Sequence, residues 1–132
     1  MNGYYASKLR EVYNNNALSN QALRESYYEY NLSKSLNHPN IIKYLHFVKS
    51  TKESTDQYHI IMELIKGKNL STFIHKNGAV SNIRTIQDIC RQILNGLDYL
   101  HTKNIAHLDI KPSNIMLTEN ETIKLIDLGI SM

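Results

Sequence analysis

Between Ile83 and Leu100 the apolar residues Ile83, Ile86, Ile89, Cys90, Ile93, Leu94, Leu97 and Leu100 recur at steps of three and four. That spacing predicts a long helix, starting near Ser81, with one face to bury. After His101 the pattern stops at Asn104-Ile105-Ala106-His107, and Pro112 prevents regular structure from resuming, so a surface loop is expected to follow. Residues 114–117 and 122–126 then read as two short strands around the polar turn Glu119-Asn120-Glu121. The second half of the chain is therefore helix, loop and hairpin.

Upstream, residues 20–36 have helical composition and stop ahead of His38-Pro39-Asn40, where the residue before proline is pushed out of the helical region. Residues 41–50 and 58–65 are rich in β-branched and aromatic side chains. With the polar segment 51–57 between them, they are expected to form a long-looped hairpin. The sequence has no internal repeat, and Asn14-Asn15-Asn16 reads as a short solvated loop.

Composition narrows the possible functions. With 42% hydrophobic and 20% charged residues among 132, the chain has the balance of one ordinary globular domain. No run approaches the ~18 apolar residues that span a bilayer, and residues 1–13 lack the apolar core of a signal peptide, so no membrane partner is expected. The net charge of +3 is spread along the chain without a dense basic patch, which argues against nucleic acid. The single cysteine, Cys90, fits a reducing, cytoplasmic setting. A metal site built on His101, His107 and Cys90 lacks the close ligand pairs that zinc sites show.

The chemistry concentrates in His107-Leu108-Asp109-Ile110-Lys111-Pro112-Ser113-Asn114, followed across the expected hairpin by Asp127-Leu128-Gly129. A polar loop beside a structural aspartate is the plainer reading, but it leaves the whole constellation unaccounted for. The set resembles the catalytic loop and metal-binding turn of eukaryotic protein kinases. Phosphoryl transfer spreads negative charge over the moving group, so such a site supplies cations and positioning more than covalent chemistry. The resemblance implies ATP and Mg²⁺ as cofactors, with Asp127 and Asn114 as oxygen ligands of the metal. It further implies that Asp109 orients the substrate hydroxyl and accepts its proton, and that Lys111 steadies the transferring phosphate. Lysine then proline after the aspartate is typical of serine/threonine kinases, so the implied partner is a protein substrate bearing those hydroxyls. By the same resemblance, His107 braces the loop and packs against Leu128.

The same family directs attention upstream. Tyr5-Ala6-Ser7-Lys8-Leu9 resembles the strand that carries the phosphate-binding lysine, and Glu29 falls where the helix glutamate that holds it usually lies. For each of the two, a solvated surface side chain is the alternative. Ala6 and Met116 would pack on opposite faces of the adenine. Residues 59–70 resemble the strand and hinge between the two lobes: Met62 as gatekeeper, Glu63 carbonyl and Ile65 amide at the adenine edge, Asn69 near the ribose. Read without the family, that stretch is a strand followed by a turn. The implied fold is α+β, a truncated two-lobed kinase-like fold. Residues 1–65 would form strands and a helix of the N-lobe, and residues 66–132 the hinge, long helix, catalytic loop and metal-binding turn.

Three departures qualify the resemblance. Leu108 stands where many kinases carry the arginine that pairs with an activation-loop phosphate, a feature shared with myosin light-chain and death-associated kinases, so the nearest flavour by resemblance is calcium/calmodulin-dependent or death-associated-like and regulation is expected to lie elsewhere. Leu128 replaces a phenylalanine and fills the same apolar slot. Ser33, a turn after Glu29, replaces an apolar residue and is expected to loosen the Lys8 to Glu29 pairing. Only seven residues precede Lys8 and none follows Met132, so a glycine-rich loop and an activation segment are expected in flanking sequence. The 132 residues alone are then expected to have little activity. A non-catalytic, pseudokinase-like nucleotide-binding or scaffolding module is the alternative function.

Overall fold

The computed structural model describes residues 5–13, 16–78 and 82–128, and these fall into two compact units. The first holds residues 5–36 with Lys43–Leu64, and the second Asn37–Ile42 with residues 65–128. The α+β composition matches the expected class. The division also moves the segment Asn37–Ile42, sequence-adjacent to the first helix, into the second unit.

The first unit is a three-stranded antiparallel sheet, β1 (Tyr5–Tyr13), β3 (Thr55–Glu63) and β2 (Tyr44–Lys52) in that order, with helix α1 (Asn16–Ser33) packed on it. Among the described residues of α1, the buried ones are Ala22, Ser26, Glu29 and Ser33. Steps of four, three and four put them on one face, yet three of the four are polar, so apolar burial is not what seats this helix. Rings on its flank contribute instead. Tyr27 meets Phe47 edge-on at 5.6 Å between centroids, Tyr30 lies 6.0 Å from the same ring, and Phe47 stacks on Tyr58 at 6.3 Å. Such pairs contribute roughly 0.5–1.5 kcal/mol each beyond area burial.

The long loop expected over 51–57 is absent. β2 and β3 run on as strands to Lys52 opposite Thr55, leaving a two-residue turn at Glu53-Ser54 with Glu53 at φ 55°. Polar residues can extend a hairpin when their side chains pair across it. Here Thr51 donates to Asp56 at 2.9 Å, and Lys49 approaches the other Asp56 oxygen at 3.5 Å.

The second unit contains a sheet of β4 (Gly67–Asn69), β5 (Ile115–Thr118) and β6 (Ile123–Leu125), with helices α2 (Leu70–Asn77) and α3 (Ile83–Thr102). β4 and α2 were not anticipated. Asn69 caps α2, its side-chain oxygen accepting from the Thr72 amide at 2.8 Å. α3 covers the periodic stretch and is capped by Asn82, which accepts from the Arg84 amide at 2.9 Å. Its apolar face is only partly covered: Leu100 is fully buried, while Ile83, Ile86, Leu94 and Cys90 are exposed. The buried side lies toward β6, and among the described residues no element packs over Leu94.

Gly96 marks the closest approach of α3. A Cβ there would sit 3.0 Å from Leu125 Cδ1 and 3.2 Å from the Asn40 carbonyl oxygen. Asn40 is buried and ties three elements together, its side chain donating to the Ile123 carbonyl at 2.9 Å and to Gln92 Oε1 at 3.1 Å. The Leu125 amide donates to the Asn40 carbonyl at 2.8 Å, and the Ile42 amide to Leu125 at 3.0 Å. Among the described residues, no helix is long and apolar enough to cross a membrane.

Candidate functional site

Two groups of residues singled out in the sequence are each brought together, one in each unit. In the first, β1 pairs with β3 so that Ala6 faces Met62 and Lys8 faces Ile60 across the ladder. Ala6 and Lys8, two apart on a strand, project to the same side. Lys8 Nζ donates to both carboxylate oxygens of Glu29, at 3.0 and 2.9 Å. Glu29 is 3% exposed, and a buried carboxylate is tolerated only when its lone pairs are satisfied. Tyr44 completes that requirement with a hydroxyl bond to Glu29 Oε1 at 3.1 Å. Nothing in the spacing of the sequence pointed to Tyr44.

The Ser33 hydroxyl does not touch this pair. Its hydroxyl turns back along α1 and donates to the Glu29 carbonyl at 2.7 Å, a local bond that satisfies a fully buried oxygen without reaching the carboxylate. At the end of β3, the Glu63 side chain accepts from the Lys43 amide at 2.9 Å, and residues 64–66 leave regular structure before β4.

The second group centres on Asp109. Asn114, held in a 3₁₀ turn over Pro112–Asn114, donates its amide nitrogen to the Asp109 carbonyl at 3.0 Å and to Asp109 Oδ2 at 2.9 Å. Lys111 Nζ approaches the same Oδ2 at 3.2 Å. Leu108 and Asp127 both adopt left-handed backbone, at φ 63° and 60°, a conformation that L residues adopt only where surrounding contacts hold it. His107 supplies such contacts. Its Nδ1 accepts from the Asp109 amide at 3.2 Å and its Nε2 meets the Ile126 carbonyl at 2.9 Å, and a ring protonated on Nε2 alone makes both bonds. The Ile126 amide in turn donates to the Asn114 carbonyl at 3.0 Å. The loop and the turn carrying Asp127 are thus laced together on both sides of Ile126. Leu128 is fully buried beside it, and Gly129 lies outside the described residues.

The donor set can be tested against magnesium. With both amide hydrogen bonds directed to Asp109, the Asn114 amide nitrogen is fixed and its Oδ1 is left to face elsewhere as a neutral oxygen donor. Asp127 adds a half-buried carboxylate close in sequence to the residue bonded to Asn114. Among the described residues, no three His, Cys, Asp or Glu side chains form a closed cage. One carboxylate and one amide oxygen fit Mg²⁺, which keeps waters and phosphate oxygens in its shell.

Two of the remaining candidates fall on strands of the second unit. Asn69 and Met116 are register partners of β4 and β5, and Asn69 already has its side-chain oxygen engaged in capping α2. Ile65 lies between β3 and β4, half-buried. The buried Asn40 and the half-buried Gln92, which fix β6 ahead of Asp127, were not singled out from the sequence. An asparagine following a proline at a helix end was the available signal, because a polar side chain there commonly binds backbone.

These elements and motifs define a protein kinase catalytic domain, and comparison with known proteins agrees: the protein kinase domain family matches residues 2–132. The chain belongs to that family. It is 46% identical over 101 residues to "Probable serine/threonine-protein kinase mkcD" of Dictyostelium discoideum, covering 74% of this chain and 14% of that protein. It is 36% identical over 121 residues to "Probable serine/threonine-protein kinase MRK1 homolog" of Encephalitozoon cuniculi, covering 92% and 36%. It is also 33% identical over 128 residues to "Mitogen-activated protein kinase kinase kinase 1a" of Physcomitrium patens, covering 97% and 16%. The chain thus spans between about a seventh and about a third of the length of these curated relatives. None of the three is named as a calcium/calmodulin-dependent or death-associated kinase, and that finer likeness gains no support.

Proposed function

We propose that the protein of which this chain forms part transfers the γ-phosphate of ATP, with Mg²⁺, to serine or threonine hydroxyls of proteins. The observation that carries this reading is the clustering of Asn114 and Lys111 on one carboxylate, Asp109, beside a turn that bears Asp127. Asp109 is the group that orients the substrate hydroxyl and takes its proton, and its Oδ1 is the oxygen with no bond to Asn114 or Lys111. Lys111 neutralises charge on the moving phosphoryl group. Asn114 Oδ1 and the Asp127 carboxylate are the metal ligands, and the metal supplies charge neutralisation at the phosphates.

Lys8, held by Glu29, binds the α- and β-phosphates. Ala6 and Met116 contact the adenine, with Met62 behind it, the backbone of Glu63 and Ile65 at its polar edge, and Asn69 near the ribose. The names of the relatives support the serine/threonine class, as does Pro112 after Lys111. A cytoplasmic setting belongs to the same reading, since the lone Cys90 is exposed.

The experiment is transfer of labelled phosphate from ATP to a generic basic protein by the full-length protein. Transfer that disappears in Asp127→Ala is the expected result. Binding of Mg-ATP without any transfer would replace this reading with that of a nucleotide-binding scaffold.

A further inference from the structure

Tyr44 is 3% exposed, and its hydroxyl donates to the carboxylate that holds Lys8. It begins β2 in the row Ala6, Met62, Tyr44, and directly after it the register shifts, leaving Leu45 as an extra residue before His46. A bulge of this kind re-aims the side chains beside it. The bond from Tyr44 to Glu29 Oε1 at 3.1 Å is answered by the next residue of each element, the Tyr30 hydroxyl donating to the Leu45 carbonyl at 3.4 Å. α1 and the bulge are thus joined by two hydroxyls running in opposite directions, one of which ends on the carboxylate. Ser33, one turn along α1, offers a contrast, since its equally buried hydroxyl bonds the Glu29 carbonyl at 2.7 Å instead.

Counting hydrogens at Lys8 gives the Tyr44 hydroxyl a task. An ammonium has three N–H donors, and Glu29 draws on Nζ with both oxygens, at 3.0 and 2.9 Å. A lysine that also reaches the α- and β-phosphates has to turn away from one of those oxygens. Glu29 is 3% exposed, which leaves little room for water to step in. Oε1 keeps the Tyr44 hydroxyl when the lysine leaves it.

From these observations we infer that Tyr44 is a positioning residue for nucleotide binding: its hydroxyl satisfies Glu29 Oε1 while Lys8 turns a hydrogen to the phosphates, so the glutamate stays in place as the nucleotide enters. The inference rests on the proposed role of Lys8 at the phosphates. Without the hydroxyl, the hydrogen given to a phosphate is withdrawn from a buried acceptor with nothing to replace it, and nucleotide binding bears that loss.

The test compares Mg-ATP with adenosine, which brings no phosphate to Lys8, by calorimetric titration of the full-length protein. Tyr44→Phe keeps the ring and removes only the hydroxyl, and in the free protein Oε1 still has Lys8, so the urea midpoint is expected to change little. Binding of Mg-ATP is expected to weaken about tenfold and that of adenosine by less than about twofold. In steady-state transfer the KM for ATP rises about tenfold with kcat held within about twofold. Ser33→Ala, which removes the hydroxyl on the backbone carbonyl, is expected to leave the ratio of the two affinities unchanged. Equal weakening of both ligands in Tyr44→Phe would overturn the inference, because it reports lost packing and not a lost partner for Oε1. So would a Ser33→Ala effect on Mg-ATP as large as that of Tyr44→Phe. Lys8→Met separates the inference from the reading it rests on. If that variant loses Mg-ATP affinity while Tyr44→Phe does not, the phosphate role of Lys8 stands and the role of Tyr44 falls; if Lys8→Met binds Mg-ATP as the wild type does, both fall together.

Discussion

Glu29 takes Lys8 Nζ on both of its oxygens, at 3.0 and 2.9 Å, while being 3% exposed itself. The lysine is 35% exposed, so the pair is asymmetric: removing the lysine leaves a buried charge, whereas removing the charge leaves a half-solvated lysine. Lys8→Met is therefore expected to destabilise the protein by about 1–3 kcal/mol, since Glu29 keeps the Tyr44 hydroxyl. Glu29→Gln preserves that hydroxyl bond and is expected to cost less. If Lys8 binds phosphates, its loss also lowers phosphate transfer by on the order of 10²-fold, more than Glu29→Gln does. Urea unfolding alongside ATP-dependent transfer separates the two effects; equal losses for both variants would count against the phosphate role.

Asn114 links two functions, because its nitrogen holds Asp109 while its oxygen is the proposed metal donor. Asn114→Ala removes both, yet leaves Asp127 in place. The expected result is a raised Mg²⁺ requirement with transfer partly restored at high metal, whereas Asp127→Ala stays inactive at any concentration. A magnesium titration of both variants checks this, and an unaltered metal dependence for Asn114→Ala would remove that residue from the ligand set.

These consequences rest on residues of unequal legibility. The Asp109, Lys111 and Asn114 cluster was legible through the resemblance of residues 107–114 to a kinase catalytic loop, and a loop and a single turn bring the three together. Glu29 was reached only through its offset from His38 in the family pattern, since the helix face that buries it is polar and shows no apolar repeat. The long loop expected over 51–57 failed for the complementary reason: polarity was read as irregularity, whereas cross-strand pairs such as Thr51 with Asp56 let polar residues form a hairpin. Helix α2 had a legible signal in Asn69 followed by the amphipathic stretch to Asn77, but a three-residue strand ahead of it carries too few residues for any periodicity. Tyr44 and Gln92 depend on contacts far apart in sequence, and no local pattern encodes those.

Gly67 and Gly96 present opposite cases of close approach. A Cβ on Gly67 would lie 2.1 Å from the Leu117 carbonyl oxygen and 2.8 Å from the Thr118 Cα, both backbone atoms of the paired strand. Neither can yield without breaking β4 from β5, so Gly67→Ala is expected to destabilise by more than about 2 kcal/mol. At Gly96 the nearest atom is a leucine methyl at 3.0 Å, which can shift, and the Asn40 carbonyl oxygen at 3.2 Å has to give by only a few tenths of an ångström, a cost that offsets the about 1 kcal/mol of helix propensity alanine gains. Gly96→Ala is expected to change stability by less than about 1 kcal/mol. Thermal melts of the two variants test the contrast, and equal melting temperatures would refute it.

His38 makes stability depend on pH in a direction that can be worked out. Burial, then the charge of Lys124, holds its imidazole below the ordinary value of 6.5, because both penalise the protonated ring. Its Nδ1 accepts the Asn40 amide at 3.1 Å and its ring stacks on Tyr99 at 4.9 Å, so the neutral form fits the fold. The unfolded chain then binds the proton more readily than the folded one, and stability rises with pH in that interval. Lowering the pH below about 6.5 is expected to reduce stability until the folded-state value is passed, after which this contribution levels off. His38→Asn is expected to flatten the profile between pH 7 and 5, because asparagine does not titrate and retains an oxygen for the Asn40 amide. Urea midpoints across that range decide the matter: parallel profiles for the wild type and the variant would show that another group is responsible.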